Sequence, residues 1–335
     1  MATYKGIKGV KVVTKATDPT ASEADGTVWY NSTSPTALKY AIQGAAAWAA
    51  GNAMNTGRDM MGTAGTQTAS IGAGGEPPNT AKTETYDGTS WSEVGDLVSG
   101  SRYDLSGFGS TTAAIMTGGY SNPPTAGRAT TESWNGSSWT EVSNLNTGRY
   151  AFGSAIGSPS TNGMVMGGIS TGHGTETADT EDWDGTSWSQ QNDMLTARAA
   201  ATGTGIATAA IACGGSPGSG VDTLTDKVEK WDGTSWSEVN DLNTARMETG
   251  TAGTSTLALC FGGRTGEGAH SALNEQYDGT SWSEVGDLSQ GLRGPGGTGS
   301  QPAGLCFGGS TTGGAATGTE EWNDPVYTIK TVTVS

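Results

Sequence analysis

Histidine and cysteine are scarce in this chain of 335 residues, which contains two and three of them respectively. Two histidines without a matching cysteine or carboxylate motif cannot form a closed metal site, and no serine–histidine–aspartate nucleophile pattern is present. Each cysteine lies just before a Gly-Gly pair in a different part of the chain, so we expect three buried thiols without disulfides. The composition therefore predicts a protein that is not an enzyme and that holds no metal and no cofactor.

Long apolar runs and positive charge are also lacking. No segment approaches the roughly 20 apolar residues of a membrane span, and the N-terminus lacks the apolar stretch of a signal peptide. The chain has 17 Lys and Arg against 33 Asp and Glu, which gives a net charge of −16. Nucleic-acid binding needs clustered basic residues. We therefore expect neither a membrane span nor a nucleic-acid partner.

Glycine is abundant, and one motif returns along most of the chain. In it, Asp-Gly or Asn-Gly stands between an aromatic residue and a Thr/Ser-rich run that ends in Trp, which is a strong hairpin signal. Two short apolar runs follow, and the second ends in Gly-Gly. Four short strands per repeat are typical of a propeller blade. The tryptophan recurs at steps of 48, 49, 48 and 46 residues: Trp91, Trp139, Trp188, Trp236 and Trp282.

This pattern resembles the kelch repeat, in which Gly-Gly closes the second strand, Glu-x-Tyr-Asp opens the third and Trp marks the fourth. The resemblance covers roughly residues 41–325 and includes six Gly-Gly pairs. The last third strand, Glu320–Asn323, is not followed by a Thr-Ser-Trp segment, whereas Ala45–Trp48 precedes the first complete repeat. We therefore predict an all-β, six-bladed kelch-like β-propeller closed by an N-terminal strand, an arrangement that leaves no free sheet edges.

The chain ends depart from the repeat. We predict an N-terminal arm with a hairpin at residues 1–40, the propeller at 41–325 and a C-terminal strand at 326–335. The arm is either an extra hairpin packed on the propeller or a docking element for a larger assembly. The tail either adds a strand to the last blade or pairs with a neighbouring protein. Candidate docking residues in the arm are Lys8, Lys11, Trp29 and Tyr30.

One arginine per repeat follows the tryptophan by about ten residues. These arginines either line the axial mouth and bind an anion, or pair between blades with the glutamate that recurs in the third strand. The equal number of glutamates favours the second interpretation, in which the pairs specify geometry more than they stabilise. We predict a structural ring of Arg58, Arg102, Arg149, Arg198, Arg246 and Arg293.

Aspartates in the recurrent turn raise the question of calcium binding. Asp87, Asp184, Asp232 and Asp278 occupy the same position as Asn135 in the second repeat. Asparagine lacks the charge that calcium favours but supports the same turn. The pattern therefore indicates turn chemistry.

The loops between the second and third strands vary most between repeats, and loops on a rigid scaffold are where binding sites are usually placed. Their Gly, Ser, Thr, Asn and Pro content predicts a polar face with modest affinity, unless the differences are ordinary loop variation. Candidate residues for binding a partner or receptor are Asn79, Tyr120, Asn122, His173, Asp222, Arg264 and His270.

The basic N-terminus, the Val-Trp-Tyr-Asn-Ser-Thr hairpin and the kelch-like array together resemble structural proteins of tailed phages, marine ones especially. The resemblance implies a virion component that assembles in the host cytoplasm, with other virion proteins as partners of residues 1–40 and of the C-terminal strand. We expect a non-enzymatic tail or tail-fibre component that displays a propeller for attachment to a host-surface glycan. The alternatives are an architectural adaptor or capsid decoration that binds only virion proteins, and a cellular kelch scaffold.

Overall fold

The computed structural model describes residues 13–18, 28–33, 37–43, 46–121, 126–170, 175–218, 223–324 and 327–332. All regular secondary structure in these ranges is β. Among these residues there is no helix of the length and apolarity that crossing a membrane requires. The chain divides into two compact units, Trp48–Trp322 and a unit made of both chain ends, Met1–Ala47 with Asn323–Ser335.

The larger unit is built on six four-stranded antiparallel sheets, numbered here 1 to 6 in chain order. Five of them contain four strands that follow one another in sequence, whereas sheet 6 takes its fourth strand from Ala47–Gly51. Sheets 1 to 3 consist of Gly62–Thr66, Ala69–Ala73, Thr83–Tyr86 and Trp91–Val94; Ser106–Ser110, Ala113–Thr117, Thr131–Trp134 and Trp139–Val142; Gly153–Ser154, Gly163–Met166, Thr180–Trp183 and Trp188–Gln190. Sheets 4 to 6 consist of Thr202–Ile206, Ala209–Cys213, Val228–Trp231 and Trp236–Glu238; Gly250–Gly253, Ala258–Phe261, Asn274–Tyr277 and Trp282–Glu284; Gly296–Ser300, Ala303–Phe307, Thr319–Asn323 and Ala47–Gly51.

Three short two-stranded ladders lie in the loops between these strands. They pair Tyr120–Ser121 with Ala126–Gly127, Arg149–Tyr150 with Ile169–Ser170, and Ser310–Thr311 with Gly314–Ala315.

The chain ends form a separate four-stranded sheet, the terminal sheet. Val13–Lys15 pairs in parallel with Val28–Asn31, which forms the expected hairpin with Ala37–Gln43. The C-terminal strand Tyr327–Thr331 pairs with this hairpin rather than with the last sheet of the larger unit. Residues 41–43, which were expected in the propeller, belong to the hairpin because its second strand continues to meet the β-branched tail.

The recurrent turns are held by their own side chains. Asp87 Oδ1 accepts hydrogen bonds from the Thr89 and Ser90 N–H groups at 2.8 and 2.7 Å, and Gly88 has a φ of 88°. Asn135 makes the same two bonds at 2.9 Å, so the charge is not needed. These backbone donors hold the pKa of Asp87 below its usual value.

Tryptophans of the fourth strands join neighbouring sheets. In sheets 1 to 4, the indole N–H donates to a threonine hydroxyl in the third strand of the preceding sheet, where sheet 6 precedes sheet 1, at 2.9 to 3.2 Å. Val228 stands at the equivalent acceptor position for Trp282, whose Nε1 is buried without a partner. The bonded pairs are Trp91–Thr319, Trp139–Thr83, Trp188–Thr131 and Trp236–Thr180.

The core of the larger unit consists of small and aromatic side chains from these strands. In sheets 1 to 5, the aromatic residue that ends the third strand packs on the tryptophan that opens the fourth, with ring centroids 5.0 to 5.5 Å apart. Cys213, Cys260 and Cys306 are buried and free, which confirms the expectation for the thiols.

Candidate functional site

Six residues, one just before the first strand of each sheet, are linked in a cycle by backbone hydrogen bonds. Each N–H donates to the carbonyl of the equivalent residue in the preceding sheet, and Met60 of sheet 1 donates to Gly294 of sheet 6, at 2.7 to 3.0 Å. All six have left-handed backbones with φ between 52° and 55°. We call this set the hydrogen-bonded ring: Met60, Asp104, Ala151, Ala200, Glu248 and Gly294.

The ring is strained because five of its six members are not glycine. A left-handed conformation costs a residue with a Cβ about 1–2 kcal/mol, and such strain persists only where the surroundings enforce it. A cavity of about 110 Å³ is lined by all six ring residues and by first-strand residues such as Thr63, Ser154 and Thr251. The ring is thus a rigid frame around an internal space.

The residue before each ring member forms a backbone bridge with a second residue of the same sheet. That second residue is the one that follows the Gly-Gly pair at the end of the second strand. This bridge recurs in all six sheets, and we call the twelve residues the rim. The pairs are Asp59–Glu76, Tyr103–Tyr120, Tyr150–Ile169, Ala199–Ser216, Met247–Arg264 and Arg293–Ser310. The backbone is the same at each pair but the side chains differ, so the fold alone does not account for their identity.

The five arginines that precede the rim in sheets 1 to 5 are fully buried. Each pairs with the third-strand glutamate of its own sheet, at 2.6 to 3.3 Å, and not with a neighbouring blade as expected. The backbone makes the inter-sheet link instead, because the carbonyl of Arg102 accepts from Gly75 N–H of sheet 1 at 2.9 Å. The pairs are Arg58–Glu84, Arg102–Glu132, Arg149–Glu181, Arg198–Glu229 and Arg246–Glu275.

Arg293 does not belong to this set. The equivalent position in sheet 6 is Leu292, which is buried and whose carbonyl accepts from Gly263 N–H at 2.7 Å. Arg293 therefore lies one position later, on the rim, and Glu320 receives hydrogen bonds from Ser289 without any arginine. The spacing from the tryptophan does not reveal this difference, since Arg293 follows Trp282 by eleven residues just as the buried Arg102 follows Trp91.

Arg293 joins charged residues of three sheets. Its Nη2 lies 3.1 Å from Asp59 Oδ2 of sheet 1, and its Nε lies 3.5 Å from Glu248 Oε2 of sheet 5. Arg264 Nη1 lies 3.7 Å from Glu248 Oε1. Burial raises the pKa of Glu248, and burial together with the nearby carboxylates raises the pKa of Asp104 well above its ordinary value. In the described part of the chain, no group of three or more His, Cys, Asp or Glu could hold a metal ion.

Asp59 provides a pH test of this cluster. Burial raises its pKa from 3.8 to about 6, so the folded state binds the proton more tightly than the unfolded state does. The protonated Asp59 side chain therefore stabilises the folded state fully below pH 3.8. As the pH rises through 6, the free energy of unfolding should fall by about 3 kcal/mol at most. We expect the neutral isostere Asp59→Asn to match the parent near pH 4 and to exceed its free energy of unfolding at pH 7. Urea titrations at both pH values would reveal this, and a pH-independent difference would contradict it.

Three tyrosines lie side by side on the rim. Tyr120 is central, with ring centroids 5.4 Å from Tyr103 and 5.0 Å from Tyr150 and interplanar angles of 57° and 61°. All three side chains are half-buried. Burial, with the charges of Glu76 and Asp104, raises the pKa of Tyr103 to about 12. We call this group the tyrosine trio.

The residues expected to bind a partner are only partly gathered here. Tyr120 and Arg264 are rim residues, and His270 forms a backbone bridge with Arg264 while burial lowers its pKa. Asn79 is half-buried in the loop after Glu76, and its Oδ1 has no hydrogen-bond donor. Sequence reasoning missed Tyr103, Tyr150 and Glu248 because each stands next to or near a recurrent arginine and outside the variable loops. Asn122, His173 and Asp222 lie outside the described residues.

In the terminal sheet, Trp29 is not an exposed docking residue. Its side chain is buried, and its Nε1 donates to Asp18 Oδ1 at 3.2 Å. Asp18 also accepts from Asn31 and Lys39, so it gathers three polar side chains of the hairpin. Tyr30, on the other face of the strand, is 40% exposed. Lys8 and Lys11 are outside the described residues.

Comparison with known proteins bears on the fold. No family model matches the chain, and no curated protein matches it. Among solved structures, one titled "Structure of YjhT" is similar, with a TM-score of 0.69 and 14% sequence identity over 83% of this chain and 99% of that one. At this identity the likeness concerns the fold and not the activity. The chain therefore has an all-β, propeller-like fold of four-stranded antiparallel sheets.

Proposed function

We propose that this chain is a six-bladed kelch-like β-propeller that binds a ligand at its rim. Its role is that of a non-enzymatic structural protein of a tailed-phage virion, in the tail or tail fibre, which attaches to a host-surface glycan. The observation that carries the proposal is the rim, where the same backbone bridge presents six different pairs of side chains. A repeated scaffold with one varied edge is the usual arrangement of a binding protein.

The six-bladed closed form is supported by bonds between sheets 1 and 6. Met60 N–H donates to Gly294 O at 3.0 Å, and Trp91 Nε1 donates to the Thr319 hydroxyl at 2.9 Å. The Thr63 hydroxyl also donates to the Gly297 carbonyl at 3.1 Å. These contacts lie between the first and last sheets of the larger unit, as closure of the ring requires.

The virion setting rests on the resemblance of the sequence to tailed-phage structural proteins, with the host cytoplasm as the place of assembly. The terminal sheet supports a separate attachment role, because both chain ends form a compact unit of their own. Other virion proteins are its proposed partners. The competing proposal is an architectural adaptor or capsid decoration, which would bury the rim against virion proteins.

Binding of the purified chain to host cells tests this function. We expect the chain to bind, and Tyr120→Ala to weaken binding about tenfold or more, as truncation of a central aromatic contact usually does. Lys82→Ala, in an exposed ion pair with Glu93, is the matched surface control and should bind normally. Periodate oxidation of the cells should abolish binding if the receptor is a glycan.

Incubation with isolated virions separates the two proposals. A chain that binds cells through Tyr120 is an attachment protein. The adaptor is favoured, and the attachment role overturned, if the parent chain joins virions but does not bind cells, and if Tyr120→Ala does not join virions.

A further inference from the structure

We infer that the tyrosine trio is a binding site for an organic ammonium ion, with Glu76 and Glu176 supplying the surrounding negative charge and Asp104 beneath them. This inference rests on the proposed binding function and deepens it by naming the charge and chemical class of the ligand.

The three rings form a continuous aromatic surface. Tyr103 and Tyr120 are fixed by a two-way backbone bridge, with N···O distances of 3.0 and 2.7 Å. Tyr150 is held by its pairing with Ile169 of the same sheet, sheet 3. Because neighbouring planes are inclined at 57° and 61°, the rings are not stacked in parallel. Partly exposed aromatic rings with a fixed backbone are suited to binding a cation, since the face of each ring carries the negative part of its quadrupole.

The charges around the trio have one sign. Glu76 and Asp104 act on Tyr103, and Asp104 and Glu176 act on Tyr150, and each of them raises the tyrosine pKa. Glu76 lies on the rim beside sheet 2, and Glu176 forms a backbone bridge with Ile169, the partner of Tyr150. Carboxylates therefore lie on both sides of the aromatic surface.

The cationic side chains of this region have other partners. Arg293 pairs with Asp59 and Glu248, and Arg264 with Glu248. Arg128 donates to the Ser121 hydroxyl and to the Ser99 carbonyl, both at 2.8 Å. Within the described ranges, no hydrogen bond engages the hydroxyls of the trio. These arginines of the described ranges thus leave the negative field at the rings to a bound cation.

Asp104 adds a linked proton. Its pKa is raised by burial and by the carboxylates of Glu248, Glu76 and Asp59, and is lowered by Arg293. A bound ammonium ion favours the ionised carboxylate, so binding should release protons and should strengthen as the pH rises. Titration calorimetry in two buffers of different ionisation enthalpy would measure that release.

The ammonium group could belong to a quaternary headgroup or to an amine-bearing sugar, and the test includes both. Choline, glucosamine and their neutral counterparts, 3,3-dimethylbutan-1-ol and glucose, are titrated into the full chain and followed by saturation-transfer NMR. We expect at least one cation to bind in the millimolar range and at least tenfold more tightly than its neutral counterpart. A preference for choline or for glucosamine identifies the source.

Variants locate the site. Tyr120→Ala should weaken cation binding at least tenfold, and Glu76→Gln combined with Glu176→Gln should weaken it while leaving the rings in place. Tyr40→Ala, at an exposed tyrosine of the terminal sheet, is the control and should bind as the parent does. The inference would be overturned if neither cation bound more tightly than its neutral counterpart, if both rim variants bound as the parent does, or if neither cation bound at all. If the chain still attaches to cells when the ammonium inference has failed, the proposed attachment function stands without that inference.

Discussion

Replacement of Glu181 by alanine is expected to lower the free energy of unfolding by about 3–5 kcal/mol, the usual cost of leaving a buried charge without its partner. Glu181 and Arg149 are both fully buried, and their charged atoms lie 2.6 Å apart. The carboxylate also accepts hydrogen bonds from the backbone and side chain of Asn146, at 2.8 and 2.9 Å. The substitution therefore removes the anchor of a loop together with the nearer counter-ion of Arg149, and leaves Asp179 Oδ2 at 3.9 Å. Urea denaturation would measure the loss.

Two matched variants define what a smaller effect would mean. Glu320→Ala removes the equivalent glutamate of sheet 6, which is bonded to Ser289 but to no arginine, so a loss of about 1–3 kcal/mol is expected. Glu93→Ala breaks the exposed pair with Lys82 and should cost about 1 kcal/mol or less. If Glu181→Ala were no worse than Glu320→Ala, the buried arginine–glutamate pairs would not contribute to stability beyond the hydrogen bonds of the glutamate.

Removal of the strand Ala47–Gly51 is expected to abolish cooperative folding of the larger unit or to lower its melting temperature by about 10 °C or more. This strand pairs with the third strand of sheet 6, and Trp48 lies 5.6 Å from Trp322 and 4.9 Å from Phe261 between ring centroids. Without it, an unpaired strand edge and two aromatic side chains face water, which promotes aggregation. Thermal unfolding of residues 46–323 against residues 52–323 measures the effect, since neither chain contains the terminal sheet.

A circular permutant makes this comparison specific. Residues 46–51 are attached after residue 323 by a short flexible linker in the chain that begins at residue 52. We expect the permutant to regain cooperative unfolding, because the strand can again complete sheet 6. Equal stability of the shorter chain and residues 46–323 would argue against a ring closed by the N-terminal strand.

The repeated elements were predictable because their signals are local. Asp87-Gly88 and its equivalents determine a turn through two short-range hydrogen bonds, and Trp91 at the start of the following strand is its buried residue. The C-terminal strand could not be assigned in this way. Its β-branched residues fit any open strand edge, and only the folded chain selects the hairpin strand Ala37–Gln43.

The candidate site was only partly predictable. Tyr120 and Arg264 were found because they lie in variable loops. Tyr103 and Tyr150 were not, since each follows a recurrent arginine and looks like part of the scaffold. Arg293 was placed with the buried arginines because its residue type matches theirs, although its register is that of the rim.

The sequence by itself determined the all-β class, the repeat and the strands within each repeat, since turn residues and alternating side chains act over a few neighbours. Only the tertiary structure decided which residues meet at the rim, which arginines are buried with a glutamate and how Trp29 comes to be covered. These contacts join positions that are tens to hundreds of residues apart, as Arg293 and Asp59 are, and no local pattern records them. A one-residue difference in register is enough to move a charge from the core to the surface.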